Sequence, residues 1–573
     1  MPDIAVPANP VGNVPRAGAG AGVGDGVWIG GGAWLVLLLG AVFIVLPVGS
    51  LLQRSLWDSA GQWAGPANYS AYLQTPALVE SVGRSLRLSA ISAAICVLLA
   101  YGYAYALTQS SMRHKGLFRA VALVPLLAPS LLMAISLIYL FGNQGLLKGW
   151  VAPFGGIYGD LGIVIGSVLW TFPHALLILL TSMATQDGRL QEAARTLGAG
   201  PWRVFWTVTL PASRYGLLMS LVVVFVLVIT DFGVPKVIGG SANVLATDLY
   251  RQVVGQQNFA MGAVVGVWLL LPAVGAFLLE RHFRRKQAAA LGARASLYQP
   301  QPAALRDRLL WIYCAGVGRS LLAVIGVALF ASLATFWPYN LSPSLRHYDF
   351  DNMDGGGWAS YFNSLRMALG VAVLGTVCAF FSAWLVDKPR THGTARELAN
   401  LVLNLPLAIP GLALGIGYIF FFNAPGNPLN GLYGTMAILI ICTVVHFFSM
   451  AHLTMLAAMR QLDREFEVVS ESLGVPVVKT LLRVHLPICL PALLQVAGYF
   501  FVNAMTTVSA VVFLYSPQTT LASVAVLNMD DAGTVAPAAA MAVLIFLTSA
   551  AVRCVLALVS HLLLSRTQRW RQR

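Results

Sequence analysis

What most constrains this chain is the recurrence of apolar runs about as long as a bilayer is thick. A helix rises about 1.5 Å per residue, so a hydrocarbon core of about 30 Å takes roughly 20 apolar residues to cross. Runs of that length recur from Trp34 almost to the end of the 573-residue chain. Backbone groups in lipid have no water to bond, so each run must close its hydrogen bonds internally as a helix. The composition agrees, with 58% hydrophobic and only 10% charged residues, where a soluble domain carries about a quarter charged. The chain is therefore predicted to be an all-α, polytopic membrane protein.

The first half offers helices near residues 34–52, 86–108, 118–141, 161–184, 214–235 and 259–280. The second repeats the plan near 320–338, 366–386, 398–422, 433–459, 488–515 and 535–564, about twelve helices in all. Three segments lie outside it. Residues 1–33, rich in Gly, Ala and Pro, are expected to be a disordered cytoplasmic tail. Residues 281–319, opening with RHFRRK, are expected to be a basic cytoplasmic linker, and residues 565–573 a basic cytoplasmic C-terminus. A first repeat at 34–280 and a second at 320–564 remain.

The duplication goes beyond hydropathy. A polar island, EAARTLGAGPWRVFWTVTLP, occupies residues 192–211, and a second, EFEVVSESLGVPVVKTLLRVHLP, occupies 465–487. In each a glycine, Gly198 or Gly474, stands at the same spacing before the proline of a Leu-Pro pair, Leu210-Pro211 or Leu486-Pro487. The shift in numbering that carries Gly198 onto Gly474 also carries Thr230 onto Thr506, Leu245 onto Leu521 and Ala246 onto Ala522. SLRL at 85–88 faces SLRM at 364–367, and Pro125 and Pro129 face Pro406 and Pro410 with identical spacing. Self-similarity over half a chain marks an internal repeat. An even number of spans per half returns the chain to its starting side, so two parallel six-helix repeats are expected, related by an axis along the membrane normal.

A formal charge of +14 raises the question of a nucleic-acid partner. The distribution answers it: Lys and Arg gather in alternate loops, at 113–119, 189–214, 281–286, 388–396, 460–483 and 566–573. That is the positive-inside pattern, so basicity encodes topology, with both termini cytoplasmic and no nucleic acid bound. The six cysteines are scattered singly through apolar stretches without metal-site or redox spacing, and are expected to be small core residues. His174, His446 and His452 show no ligand spacing and are read as satisfied core histidines, with no metal site. No GxxxxGK[ST] loop is present to cradle a phosphate, so the chain has no ATP site of that kind.

The two islands resemble the EAA loop of permeases from ATP-binding-cassette (ABC) importers. Small Ala193 and Ala194 let another surface come close, and Gly198 permits a turn that other residues resist. The second copy departs from the pattern, with Val468, Val469 and Ser470 at the Glu-Ala-Ala positions and Glu467 one place early. The resemblance covers almost the whole chain beyond the N-terminal tail. With TDFGVPKVIGG at 230–240 it extends to fused permeases of the ferric-iron, thiamine and phosphonate group. The second half is most similar to 2-aminoethylphosphonate permeases, in the stretches at 405–438, 503–517 (NAMTTVSAVVFLYSP) and 521–533 (LASVAVLNMDDAG).

The resemblance implies the ABC type I importer permease fold and a transport subunit rather than an enzyme. It implies a cytoplasmic ABC ATPase dimer carrying ATP and Mg, a periplasmic substrate-binding protein, and a multi-pass chain in the bacterial inner membrane that binds no cofactor itself. ATPase coupling falls to Glu192, Ala193, Ala194, Gly198, Leu210 and Pro211, and to Glu467, Ser470, Gly474, Leu486 and Pro487. Loss of Glu467 is expected to be better tolerated than loss of Glu192. The implied substrate is 2-aminoethylphosphonate, with ferric iron, or another small solute such as thiamine, as the alternative. A secondary transporter would have no use for two matched docking loops.

Two sets of residues are candidates for the pathway. Thr230, Asp231, Asn503, Thr506, Thr507 and Ser509 are placed on the two helices that follow the loops, where hydroxyls and amides suit a small zwitterion. Asp231 either contacts substrate, as an ionisable group at membrane depth suggests, or caps the end of its helix. Asp530 and Asp531 are placed in an outward loop. Pro125, Pro129, Pro406 and Pro410 either kink a packed bundle or shape an outer gate.

Overall fold

The computed structural model describes residues 22–58, 60–184, 186–290, 298–388, 393–463 and 465–567. Ten helices are long and apolar enough to cross a membrane, or up to twelve if each of two bent helix pairs counts as one span, among the described residues. In the first half these are α1 (Gly31–Ser55), α2 (Pro76–Gln109), the bent pair α3 (Lys115–Leu127) and α4 (Ser130–Phe141), and α5 (Asp160–Ala184). The short α6 (Gly188–Thr196) precedes α7 (Pro201–Thr230), and α8 (Gly233–Ile238) and α9 (Leu245–Tyr250) lead to α10 (Phe259–Ala290).

The second half opens with α11 (Ala304–Leu333) and a hairpin of β1 (Ala334–Phe336) and β2 (Asn340–Pro343). It continues with α12 (Gly357–Asp387), the bent pair α13 (Thr394–Ala408) and α14 (Gly411–Phe422), and α15 (Met436–Arg460). Then come the short α16 (Glu465–Ser472), α17 (Val477–Thr506), α18 (Ala522–Asp531) and α19 (Val535–Thr567). The repeat offset read from Gly198 and Gly474 holds at both ends of α5 and α15, and of α7 and α17.

Several boundaries differ from the expected ones. α11 begins at Ala304 and α10 runs to Ala290, both inside the segment read as linker, 281–319. A helix also starts at Gly22, within the expected tail. Residues 1–21 of that tail, and 568–573 of the basic C-terminus, lie outside the described residues.

The largest departure is in the helices expected at 118–141 and 398–422. Each is broken, bending by 101° between α3 and α4 and by 112° between α13 and α14. A proline pushes the residue before it out of the helical region. Ala128 before Pro129 and Ile409 before Pro410 are accordingly extended, at φ −104°, ψ 140° and φ −106°, ψ 113°. Pro125 and Pro406 sit in a 3-10 turn just before each break.

Leu-Pro pairs leave a second signature. Pro211 has no N–H for the helical ladder, and its ring crowds the carbonyl four residues back. The helix absorbs this with a wide π turn: Leu210 N–H bonds the Phe205 carbonyl, five residues back, and Leu486 N–H bonds that of Leu481. Leu46-Pro47 in α1 does the same against Ala41. Pro211 and Pro487 therefore lie inside long helices rather than at their starts.

The halves are not self-contained. α1 packs on α10 of its own half and also on α13 and α14 of the other: Tyr418 Oη donates to the Phe43 carbonyl at 2.7 Å, and Gly417 lies so close to Pro47 that a Cβ would stand 2.6 Å from its carbonyl oxygen. α11 crosses the other way onto α2, α3 and α4, where Tyr313 Oη donates to the Leu99 carbonyl at 2.7 Å and Trp311 meets Phe118 edge-on. Glycines at such crossings let helices approach in lipid, where packing rather than water exclusion drives association. Each repeat's first helix thus bridges the two halves, α11 also packing on α19 of its own.

Candidate docking loops and transport pathway

Each polar island folds as a short helix, a glycine turn and the start of a long helix. Gly198 has φ +77° and Gly474 φ +66°, the left-handed region that a side chain resists. Gly198 N–H bonds the Arg195 carbonyl at 2.8 Å and Ala199 N–H that of Ala194 at 3.0 Å. Gly474 N–H bonds Glu471 at 3.2 Å and Val475 N–H bonds Ser470 at 2.9 Å. Both are Schellman ends, which satisfy carbonyls otherwise left open at a helix terminus. No atom lies within 4 Å of where a Cβ would stand on either glycine, so backbone shape and not space requires them.

The turns present apolar surface outward. Leu197 is 87% exposed and its repeat partner Leu473 72%, with Trp202 and Val478 exposed just beyond. Glu192 and Ala193 are exposed too, and Glu192 forms no ion pair among the described residues. Leu210 is half-buried behind the exposed turn, as is Leu486.

Bracing differs between the loops. In the first, the guanidinium of Arg195 bonds Tyr298 Oη and lies 5.3 Å from that ring's centre, and Gly188 admits the Tyr298 backbone, where a Cβ would stand 2.8 Å from its Cα. The segment joining the repeats therefore clamps α6. In the second, Glu467 turns inward: its carboxylate lies 3.2 Å from Lys388 Nζ and 3.1 Å from His485 Nε2. Asp387 extends the cluster to Arg460 at 3.4 Å. In the sequence Lys388 is only one more cytoplasmic charge, and nothing in the order of residues pairs it with Glu467.

The pathway candidates split. Asp231 is buried, accepting from Ser130 Oγ at 3.0 Å and from Val234 N–H at 2.9 Å, so its carboxylate caps α8 and ties it to α4. Thr230 and Thr506 spend their hydroxyls on the Val226 and Val502 carbonyls of their own helices, and Asn503 donates to the Tyr499 carbonyl. The Thr507 carbonyl accepts from Ser523 Oγ at 2.6 Å. Ser509 is half-buried against Gly411, where a Cβ would stand 2.5 Å from its Oγ. In the first half a Cβ on Gly233 would stand 2.3 Å from Ser130 Oγ. Gly233 and Ser509 are repeat partners, so one hydroxyl and one glycine meet in both halves with their places exchanged.

Ser85 Oγ accepts the first N–H of α9, from Leu245, at 2.8 Å, and Ser364 Oγ accepts that of α18, from Ala522, at 2.8 Å. The SLRL and SLRM repeat thus tethers the segment that follows α7 and α17. Between the halves, Lys236 Nζ lies 2.9 Å from Asp531, and the rings of Tyr250 and Phe513 stack at 6.2 Å. Asp530 and Asp531 end a helix, α18, instead of lying in a loop, and burial pushes the Asp530 carboxyl up to about 6. His452 sits between Ser382 and Asn400 at 2.9 and 3.3 Å, a satisfied core histidine. His446 meets Phe447 edge-on and His174 tilts against Trp170, and the Nδ1 of each is buried without a hydrogen-bond partner among the described residues, so these two are not the satisfied histidines expected. No group of three or more His, Cys, Asp or Glu able to hold a metal occurs among the described residues.

A membrane permease of two parallel repeats, each ending a helix in an exposed glycine turn, is the class of protein that this fold and these loops define. The chain belongs to the family described as binding-protein-dependent transport system inner membrane component, whose model matches residues 99–289 and 373–563. Those two stretches leave out α1 and α11, the helices that bridge the halves. The chain is 26% identical to the ferric transport system permease protein FbpB of Actinobacillus pleuropneumoniae, over 87% of this chain and 73% of that protein. It is likewise 26% identical to the putative ferric transport system permease protein FbpB 1 of Haemophilus influenzae, over 84% of this chain and 77% of the relative. The molybdenum transport system permease protein ModB of Mycobacterium bovis matches at 27% over 43% of this chain but 90% of its own length. A relative one repeat long is what a duplicated chain should find.

Proposed function

We propose that this chain forms the translocation pathway of a binding-protein-dependent ABC importer and is driven by a separate ATPase dimer that docks on α6 and α16. The observation that carries this reading is the pair of exposed Schellman turns at Gly198 and Gly474, each set at the head of a long helix that leads to a proline-broken pair. Movement of a docked ATPase on α6 would pass along α7 to Asp231, and from there through Ser130 to α4. Both termini and the linker lie on the ATPase side in this reading, and the proline breaks form the gate. Copurification of an ATPase with the wild-type chain, lost in a Gly198→Val variant that still inserts, tests the coupling. A periplasmic signal from a reporter placed in the linker would reverse the orientation.

For the substrate we propose 2-aminoethylphosphonate, supported by the likeness of residues 405–438, 503–517 and 521–533 to permeases for that solute and by the neutral Asn503, Thr506 and Ser509 on the second docking helix and beyond it. Ferric iron is the second reading, favoured by the ferric permeases that align with most of the chain. Growth of a deletion strain on 2-aminoethylphosphonate as sole phosphorus source, beside growth under iron limitation, separates them. Normal phosphonate growth together with an iron-starvation defect would overturn the first in favour of the second.

A further inference from the structure

A groove of about 890 Å³ opens between α15, α17 and α19 in the second half. Its walls are apolar, but Arg553, Gln461, Gln495 and Ser560 also line it, and no carboxylate does. Arg553 forms no ion pair or hydrogen bond among the described residues, nor do the side chains of Gln461, Gln495 and Ser560. The Arg553 guanidinium lies over Gly498, where a Cβ would stand 3.0 Å from Nη1. A cation in a membrane helix with no acid beside it calls for an anion from elsewhere.

The first half differs at most of the matching places, although Arg281 and Arg284 stand at those of Ala557 and Ser560. The repeat offset puts Phe277 at the place of Arg553, Met219 at Gln495 and Ile178 at Thr454, another lining residue. There the helices also close up: a Cβ on Gly216 would stand 2.2 Å from Ser182 Oγ, whereas the corresponding Ala492 and Ala458 line the open groove. The groove is therefore a property of the second half and not of the shared fold.

Its depth identifies the occupant. From Val535 to Arg553 the helix rises about 27 Å, close to the roughly 30 Å of a hydrocarbon core. Repeat symmetry sets Arg553 one turn before the position of Glu280-Arg281, where the first half's last helix turns polar. Arg553 thus stands at the headgroup level of the leaflet facing the ATPase. A planar guanidinium flanked by free amides suits a phosphate diester, and the apolar walls suit its acyl chains.

We propose that this groove binds the headgroup of an anionic phospholipid from that leaflet, an inference that rests on the orientation given above but not on the substrate. Bound there, the lipid lies against α17, the helix that continues out of the second docking loop, and holds that loop's helix where α15 and α19 part.

The test is native mass spectrometry of the purified permease–ATPase complex after exchange into an equal mixture of phosphatidylglycerol and phosphatidylcholine. Wild type should retain phosphatidylglycerol preferentially, Arg553→Gln should lose about tenfold of that preference, equivalent to about 1.4 kcal/mol, and Arg553→Lys should keep part of it. Arg214→Gln, at an exposed basic residue of the first half, should retain it fully. Should Arg553→Gln fail to insert, Leu556→Trp, which fills the groove and leaves the charge, should also release the lipid. Unchanged preference in Arg553→Gln or Leu556→Trp would overturn the proposal. So would displacement of the lipid by inorganic phosphate, the mark of a site for a soluble anion. None of these readouts depends on which solute is imported.

Discussion

The two docking loops are built on one backbone and steadied by different chemistry. Both end a short helix in a left-handed glycine, at φ +77° and +66°, and both expose a leucine just before it. In the first loop Glu192 is exposed and the bracing comes from outside, through Tyr298 of the inter-repeat segment on Arg195. In the second, the acid one place early, Glu467, is turned into the protein between Lys388 and His485. Duplication preserved what the turn requires, because a wrong φ cannot be compensated by a neighbour. It left free how each loop is held, because many side chains can supply that.

If the shared turn matters most, the largest effect should come from Gly198→Val and Gly474→Val. A β-branched residue in the left-handed region costs about 1–2 kcal/mol or more, and the turn should reopen. Uptake and ATPase copurification should fall to background in each, with the chain still in the membrane. Near-normal uptake by either variant would break the equivalence of the loops.

The next effect should separate the loops. Lys388→Met leaves Glu467 partly buried without its cation, which should cost about 2 kcal/mol and lower the melting temperature. Glu192→Gln should leave melting unchanged and weaken only ATPase retention. This pair separates the two acids' settings: loss of Glu467's partner cation should appear as instability, loss of Glu192 as poor docking. Identical melting and docking profiles for the two variants would erase the distinction.

A smaller effect tests the exchanged hydroxyl. Gly233→Ser brings a second side chain against Ser130 Oγ and should cost about 1–3 kcal/mol by overpacking. Adding Ser130→Gly recreates the second half's arrangement and should recover most of that loss, short of the roughly 1 kcal/mol for Asp231's missing donor. A double variant no more stable than the single one would mean that the contact is not interchangeable. The smallest effect is expected from Tyr298→Leu, which removes a cation–π contact worth about 0.5–1 kcal/mol and should loosen only the first loop. Hydrogen exchange at residues 188–196 should speed up, while that at 465–472 stays unchanged.

Much of the architecture was legible from residue order. Spans, repeat offset and glycine turns each follow from a rule that acts within one short window: apolar length, self-similarity, or the need for positive φ. The helix breaks at Pro129 and Pro410 were half legible. The proline pairs stood out, yet bends of 101° and 112° depend on what receives the freed ends, here Ser130 with Asp231 and Gly411 with Ser509. For Asp231 the sequence left two readings open, substrate contact or a helix cap, because a lone carboxylate in an apolar run gives no sign of its partners; its bonds to Ser130 and Val234 make it a cap.

What the sequence determined by itself was therefore the all-helical membrane class, the duplication, and the two turns that only glycine can close. The tertiary structure alone decided that α1 and α11 bridge the two halves, that Glu467 faces inward to Lys388, and that a groove opens around Arg553 in one half only. The physical reason is that a helix in lipid is apolar on every side. Its periodicity therefore carries no record of which neighbour it will meet, and partner choice rests on small residues and side-chain contacts that appear only once the helices are brought together.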